Sequence, residues 1–204
     1  METGGGHSHS ETARQRMNLP ELTPLPELLA AYRIDTVINT HLHWDHCSGN
    51  MEEGRPAFPN ARYFTQAGEY DYAQTRNPRD AASYLDANYR PLIESGQMHL
   101  LRGDSEIVPG VHVQVVPGHN RDMMVVRAHS EGQTFCLLAD LVPTAEHLKP
   151  TWIAGFDLYP LTAIENKTKL LTQAAREGWW CGFSHDMQHA FATITEDFKL
   201  KESR

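Results

Sequence analysis

His41-Leu42-His43-Trp44-Asp45-His46 crowds three imidazoles and a carboxylate into six residues. Such a run is costly in a folded chain unless a cation holds it together, and a metal ion is the obvious cation. The preceding Asp35-Thr-Val-Ile-Asn-Thr40 is short and rich in β-branched residues, so it reads as a buried strand that delivers the cluster at its C-terminal end. In an extended segment His41 and His43 project to the same side, whereas Asp45 and His46 fall after the chain begins to turn and can face a second ion. The spacing suits two adjacent divalent metals. Neutral imidazole and carboxylate favour zinc, with iron, manganese or cobalt also compatible. Trp44 is expected to bury its ring as packing, and Cys47 to be a small buried thiol. A solvated His-rich loop, such as Gly4-Gly-Gly-His7-Ser-His9, is the alternative, but it has no strand to anchor it.

Three later segments carry further ligand types. Pro117-Gly118-His119 follows the alternating run Val111-His-Val-Gln-Val-Val116, Ala139-Asp140 closes an apolar run, and Phe183-Ser184-His185 follows Trp179-Trp-Cys-Gly. Together with the hexapeptide, and in this order over residues 35–186, they resemble the signature of the metallo-β-lactamase superfamily of metallohydrolases. The resemblance implies an α/β fold, the αββα sandwich, as one domain over residues 1–204. It implies that His41, His43 and His119 hold one metal, that Asp45, His46 and His185 hold the other, and that Asp140 bridges them. In that family an acidic residue followed by Thr-Gly closes a strand and borders the metal site, as Glu2-Thr3-Gly4 would here. The chain is therefore expected to begin after the family's first strands.

A chain of 204 residues is long enough for one sizeable core. The formal charge of −8 argues against nucleic acid, whose binding needs clustered Lys and Arg. It suits an enzyme acting on a small-molecule substrate, and a homo-oligomer is compatible with it. Cys47, Cys136 and Cys181 lack framework spacing, which points to a reducing compartment and no disulfide. No signal peptide and no apolar run of about 20 residues is legible, so the expectation is a cytoplasmic protein without a membrane span.

From composition alone residues 1–18 read as a flexible tail. A helix is expected over residues 23–32, capped by Thr23, with Leu25, Leu28, Leu29 and Tyr32 on one face. A strand at 62–65 and helices near 66–74 and 78–94 follow. Their tyrosines 70, 72, 84 and 89 are more often core than pocket at such spacing. Arg102-Gly103-Asp104 is ordinary turn chemistry. Strands are expected at 111–116, 123–127 and 134–139, then a helix opened by a capping box at Thr162 and Glu165 and stopped at Gly178, then a strand at 179–183 and a terminal strand pair or tail. The long loop after Asp140, with Trp152, Phe156 and Tyr159, is the candidate substrate wall.

The expected chemistry is hydrolysis of an ester, lactone or phosphoester, with a metal-bridging hydroxide as nucleophile and Asp45 or Asp140 shuttling the proton. Quorum-quenching lactonases of the family carry a tyrosine three residues past the bridging aspartate, where this chain has Pro143. The loop resembles the lactonase, aryl-esterase and organophosphate-hydrolase branch. Two rivals remain at this level: a mono-iron oxidative enzyme of the same superfamily, and a truncated scaffold without activity.

Overall fold

The computed structural model describes residues 2–7, 9–20 and 23–204, and counts below refer to these; Met1 and Ser8, within the stretch expected to be flexible, lie outside them. The chain falls into two compact units, Met1–Leu101 and Arg102–Arg204.

The first unit opens with α1 (Glu11–Met17), capped by Ser10, whose Oγ accepts from the Ala13 N–H at 3.2 Å. A single helical turn, α2 (Leu25–Leu28), precedes β1 (Thr36–Ile38) and α3 (Trp44–Cys47). The helix expected over 23–32 shrinks to this turn, because only Leu25 and Leu29 find the core, while Leu28 and Tyr32 are exposed. Pro24, not Thr23, is its N-cap. A small hairpin, β2 (Met51–Glu52) with β3 (Arg55–Pro56), leads to β4 (Arg62–Gln66), α4 (Ala67–Thr75), α5 (Arg90–Glu94) and β5 (Met98–Leu101). β1, β4 and β5 form a parallel sheet with β4 in the middle. The helix expected over 78–94 is broken: residues 81–88 form two 3₁₀ turns, and Pro91 in the first turn of α5 starts a new helix, since its ring cannot sit inside an old one. Tyr63, Tyr84, Tyr89 and Leu92 are fully buried in the unit's core. A buried leucine of this kind stabilises the fold by about 1.5–3 kcal/mol.

The second unit is built on one mixed sheet. β6 (Ser105–Val108), β7 (Val111–Val115), β8 (Met124–Ser130) and β9 (Gln133–Leu137) run as an antiparallel meander. α6 (Pro160–Glu177) then crosses over, as a parallel connection requires, so that β10 (Trp180–Gly182) lies parallel to β9 with Cys181 opposite Cys136. β11 (Phe191–Ile194) and β12 (Leu200–Ser203) extend the sheet, which gives the order β12-β11-β10-β9-β8-β7-β6. α6 buries Ala163, Leu170, Leu171 and Ala174, and the unit's core gathers the last three with Val125, Leu138, Trp179 and Ile194. It starts two residues before the expected capping box, with Pro160 at its first position and Tyr159 as N-cap, and it stops at Gly178 in the left-handed region, φ +67°. The three cysteines are buried and free. No helix among the described residues is long and apolar enough to cross a membrane.

Candidate metal centre

In the first unit, β1 ends in Asn39 and Thr40, both fully buried, and the hexapeptide follows. The Asn39 and Asn50 side-chain amides bond each other at 2.9 and 3.2 Å, and Thr3 Oγ1 donates to Asn50 Oδ1 at 3.0 Å, so a closed polar network underlies the cluster. His43 is the N-cap of α3, in extended conformation, and the helical turn carries Asp45 and His46. The chain thus turns after His43, as the spacing implies. His41, His43 and His46 are buried, with ring centroids 4.6 Å apart for His41 and His43 and 4.1 Å for His41 and His46. Three imidazoles this close and this dry cannot all be charged.

Each ring is held by its other nitrogen. Glu2 Oε1 lies 2.9 Å from His46 Nδ1 and also accepts from the Thr40 hydroxyl. That hydroxyl oxygen in turn faces His41 Nδ1 at 3.0 Å. A carboxylate only accepts, so Nδ1 of both rings carries the proton and Nε2 keeps its lone pair. On His43 it is Nε2 that faces a carboxylate, with Asp80 Oδ2 3.9 Å away. Burial alone would push the Asp80 carboxyl up, but bonds from His43 and Tyr72 outweigh it and hold the group below the usual carboxylate range. Glu69, buried beneath the hexapeptide, accepts from the Leu42 N–H at 2.9 Å and the Tyr84 hydroxyl at 3.0 Å. Cys47 is a buried thiol whose pKa burial pushes up, which fits the packing role expected of it. Trp44, expected to bury its ring, is instead half-buried with its edge against His9.

In the second unit, His119 sits in the turn after β7, buried, with Phe156 edge-on at 5.6 Å. Asp157 Oδ1 is 3.1 Å from His119 Nδ1, and Asp140 Oδ2 is 3.5 Å from its Nε2. Asp140 lies in the 3₁₀ turn after β9, behind Ala139, which takes a left-handed φ of +47° that disfavours a residue with a Cβ. The other Asp140 oxygen, Oδ1, is 3.1 Å from Nε2 of His185, which follows β10. The Asp186 carboxylate accepts from the N–H groups of Ala145, Gln188 and His189 at 2.8 Å each. Burial pushes its pKa up, and these three bonds together more than reverse that.

His46 and His119 therefore share one electrostatic pattern. Each has a carboxylate on its protonated nitrogen and a second carboxylate facing its lone pair, Asp45 Oδ2 at 3.6 Å in the first case and Asp140 Oδ2 at 3.5 Å in the second. Two acceptors pointed at each other repel unless a proton or a metal ion lies between them, and the buried N/O donor set suits a divalent ion such as zinc. The residues fit a metal centre. Sequence reasoning found His41, His43, Asp45, His46, His119, Asp140 and His185; in the first unit the structure gathers the hexapeptide ligands with Glu2, and in the second it gathers His119, Asp140 and His185. Sequence reasoning missed Asp80, Glu69 and Asp157, acidic residues in loops or on a helix with no motif around them, and Asp186, which directly follows His185.

The Metallo-beta-lactamase superfamily model matches residues 5–202. The chain belongs to the metallo-β-lactamase superfamily. A structure of a probable metal-dependent hydrolase from Staphylococcus aureus matches over 100% of this chain and 78% of its own, with 26% identity and a TM-score of 0.89. The metallo-β-lactamase fold expected from the sequence is thus the fold found. A Bacillus cereus N-acyl homoserine lactonase is 30% identical over 154 residues, which are 74% of this chain and 56% of the Bacillus protein. The chain thus spans little more than half the length of that superfamily member. A structure of an N-acyl homoserine lactone hydrolase, with a product bound at what its authors call the catalytic metal center, is 27% identical over 75% of this chain and 56% of its own, with a TM-score of 0.61.

Proposed function

We propose that this member of the superfamily is a metal-dependent hydrolase of a small ester, lactone or phosphoester. The observation that supports the reading is the pair of carboxylate-flanked histidines, His46 and His119, each with a carboxylate at Nδ1 and a second one facing Nε2, where a divalent ion would be held. We assign His41, His43 and His119 to one divalent ion, Asp45, His46 and His185 to a second, and Asp140 to both, with the two units as halves of one domain. The two Asp140 oxygens face different histidines, which supports a bridging role. Zinc is the proposed metal, since the set contains no thiolate and every imidazole keeps a lone pair.

Divalent ions held there would lower the pKa of bound water from 15.7 toward about 7. The remaining tasks fall to the chain's own groups. Asp45 or Asp140 takes the proton of the attacking water and returns it to the leaving oxygen. Glu2, Thr40, Asp80 and Asp157 hold the imidazoles in one tautomer and one orientation. In the second unit a cavity of about 600 Å³ opens beside His185, with Leu148, Trp152, Phe198 and Leu200 among its walls and Lys149 and Lys199 also lining it. Its size and mixed lining suit a small amphipathic substrate. Trp152, Phe156 and Tyr159 are all exposed, as a substrate wall requires and a core does not. Pro143, which stands where the lactonases carry tyrosine, gives only its carbonyl, to the His185 N–H at 3.0 Å. Lactones, aryl esters and phosphotriesters are therefore to be screened together.

The test is elemental analysis of protein purified without chelator, alongside that screen. About two zinc-like ions per chain and turnover of one substrate class are expected. A cooperatively folded chain with less than one ion would overturn the reading, and a single iron would move it to the oxidative branch.

A further inference from the structure

α6 carries a buried lysine that the proposed chemistry does not use. Lys167 is 1% exposed, on a helix whose other buried positions are apolar. A buried ammonium is expensive unless its donors are met. Its Nζ donates to the carbonyl oxygens of His147 at 3.0 Å and Trp152 at 2.5 Å. Both carbonyls belong to the loop of residues 144–157, which carries Trp152 and Phe156 on its exposed side and the buried Asp157. Apart from the 3₁₀ turn at Ala145–Leu148, the backbone bonds seen within this loop are local: His147 to Thr144, Trp152 to Lys149 and Asp157 to Ala154. Its middle is therefore tied to the helix by Lys167. Burial brings the ammonium down to about 8, and the Asp157 carboxylate pulls it back up, so the lysine also offsets the charge that faces His119 Nδ1. The preceding residue does the matching job on the other side: Asn166 Nδ2 donates to the Pro117 carbonyl at 2.7 Å, beside Gly118, where an added Cβ would meet Ala163 at 2.7–2.8 Å.

We propose that Lys167 is a positioning residue whose ammonium staples the carbonyls of His147 and Trp152 to α6 and so fixes the aromatic wall beside the site. This rests on the hydrolase reading for the meaning of the wall, but not for the staple itself. The test compares Lys167→Met, which keeps the chain length and loses the donors, with Lys167→Arg, which keeps donors and charge. Hydrogen exchange of amides 144–157 and steady-state kinetics on the substrate that the wild type turns over are measured together. In Lys167→Met, exchange in the loop should speed up by about tenfold or more while β7–β9 keep their protection. KM should rise by about fivefold with kcat within about threefold, because the lost contact serves binding more than the chemical step. Lys167→Arg should restore most of both. Unchanged loop exchange in Lys167→Met overturns the staple, whatever the activity. Faster exchange with unchanged KM overturns the positioning role and leaves a purely structural lysine. Should Lys167→Met not fold, Lys167→Gln, whose uncharged amide nitrogen stops one bond short of Nζ and so cannot hold both carbonyls, gives the same exchange reading. Exchange needs no turnover, so a failed substrate screen sinks the hydrolase reading without touching this result.

Discussion

Asp157→Asn isolates the electrostatic logic of the centre, because it leaves the shape of the side chain unchanged and removes its charge. In the wild type the Asp157 carboxylate accepts from His119 Nδ1 at 3.1 Å, which places the lone pair on Nε2, 3.5 Å from Asp140. An asparagine meets this ring in one of two ways. Its Oδ1 accepts from Nδ1 in a neutral bond, roughly half as strong as the charge-assisted one. Alternatively its Nδ2 donates to Nδ1, which drives the proton to Nε2 and abolishes the ligand atom. Loss of such an orienting carboxylate typically weakens metal affinity by about 10–100-fold, or about 1.4–2.8 kcal/mol. A second effect acts in parallel. Asp157 raises the pKa of Lys167 against burial, so its neutralisation lowers that pKa further and favours the uncharged amine.

The assay is competition with a chromophoric zinc chelator at pH 7.5, with a thermal melt of each protein to confirm the fold. His112→Ala is the control, since His112 is a half-buried residue of β7 whose ion-pair partner is Glu106 at 3.6 Å. Asp157→Asn should bind zinc at least about tenfold more weakly than the control. An affinity within about twofold of wild type, with a native melt, would refute the claim that this carboxylate sets the tautomer of His119.

Asp140→Ala should abolish hydrolysis and lower the metal content, because both of its oxygens face histidines; unchanged stoichiometry would remove it from the ligand set. Gly49→Ala places a Cβ against the Thr3 carbonyl oxygen, and the displaced segment carries Glu2 off His46, so a destabilisation of about 1–3 kcal/mol is expected in urea melts; a wild-type midpoint would show that the N-terminal segment is not packed there. Lys167 predicts a pH dependence. Its folded-state value of about 8 lies below the ordinary 10.5, so between these values the unfolded chain binds more protons and the wild type gains stability over Lys167→Met as pH rises, by about 3 kcal/mol in all. Buried Tyr63 and Cys181, both pushed up to about 12, act in the opposite sense above pH 9, but they do so in both proteins and cancel in the difference. A difference that is flat or falls over that window would mean that the ammonium is not buried as placed.

The parts of this chain that were legible in its sequence are those encoded locally. The β-branched run before His41, the alternation of β7 and the glycine after α6 each carry their own physics within a few residues, and each element formed within a residue or two of its expected place. The misreadings arose where tertiary contacts decided. Leu28 and Tyr32 hold helical spacing with Leu25, yet nothing packs on them, so the helix stops after one turn. The stretch 78–94 has helical composition, but Tyr84 and Tyr89 must both enter the core while Asp86 binds Arg76 and Arg90, and no single helix meets those demands. The Thr162 capping box was outbid by Pro160, whose fixed φ starts the helix earlier.

The same division governs the centre. Its proposed ligands are concentrated in a motif because the lone pairs of neighbouring histidines must converge, and convergence needs short spacing at a strand end. The groups that orient those ligands face no such constraint. Each has only to reach the far nitrogen of one ring, so Glu2 arrives from 44 residues before His46, and Asp157 from 38 residues after His119. An acid in that role needs burial and one hydrogen bond, both of which long-range packing supplies without any local pattern. In a chain of net charge −8, the acids that do this work are hidden among 26 acidic residues. The structure separates two of them by burial: Asp80 and Asp157 are each 8% exposed, and each lies within 4 Å of an imidazole nitrogen. Dry carboxylates paired with dry imidazoles need a positive charge among them, a proton or a metal ion, so the orienting acids add to the support that the motif gives the proposed metal.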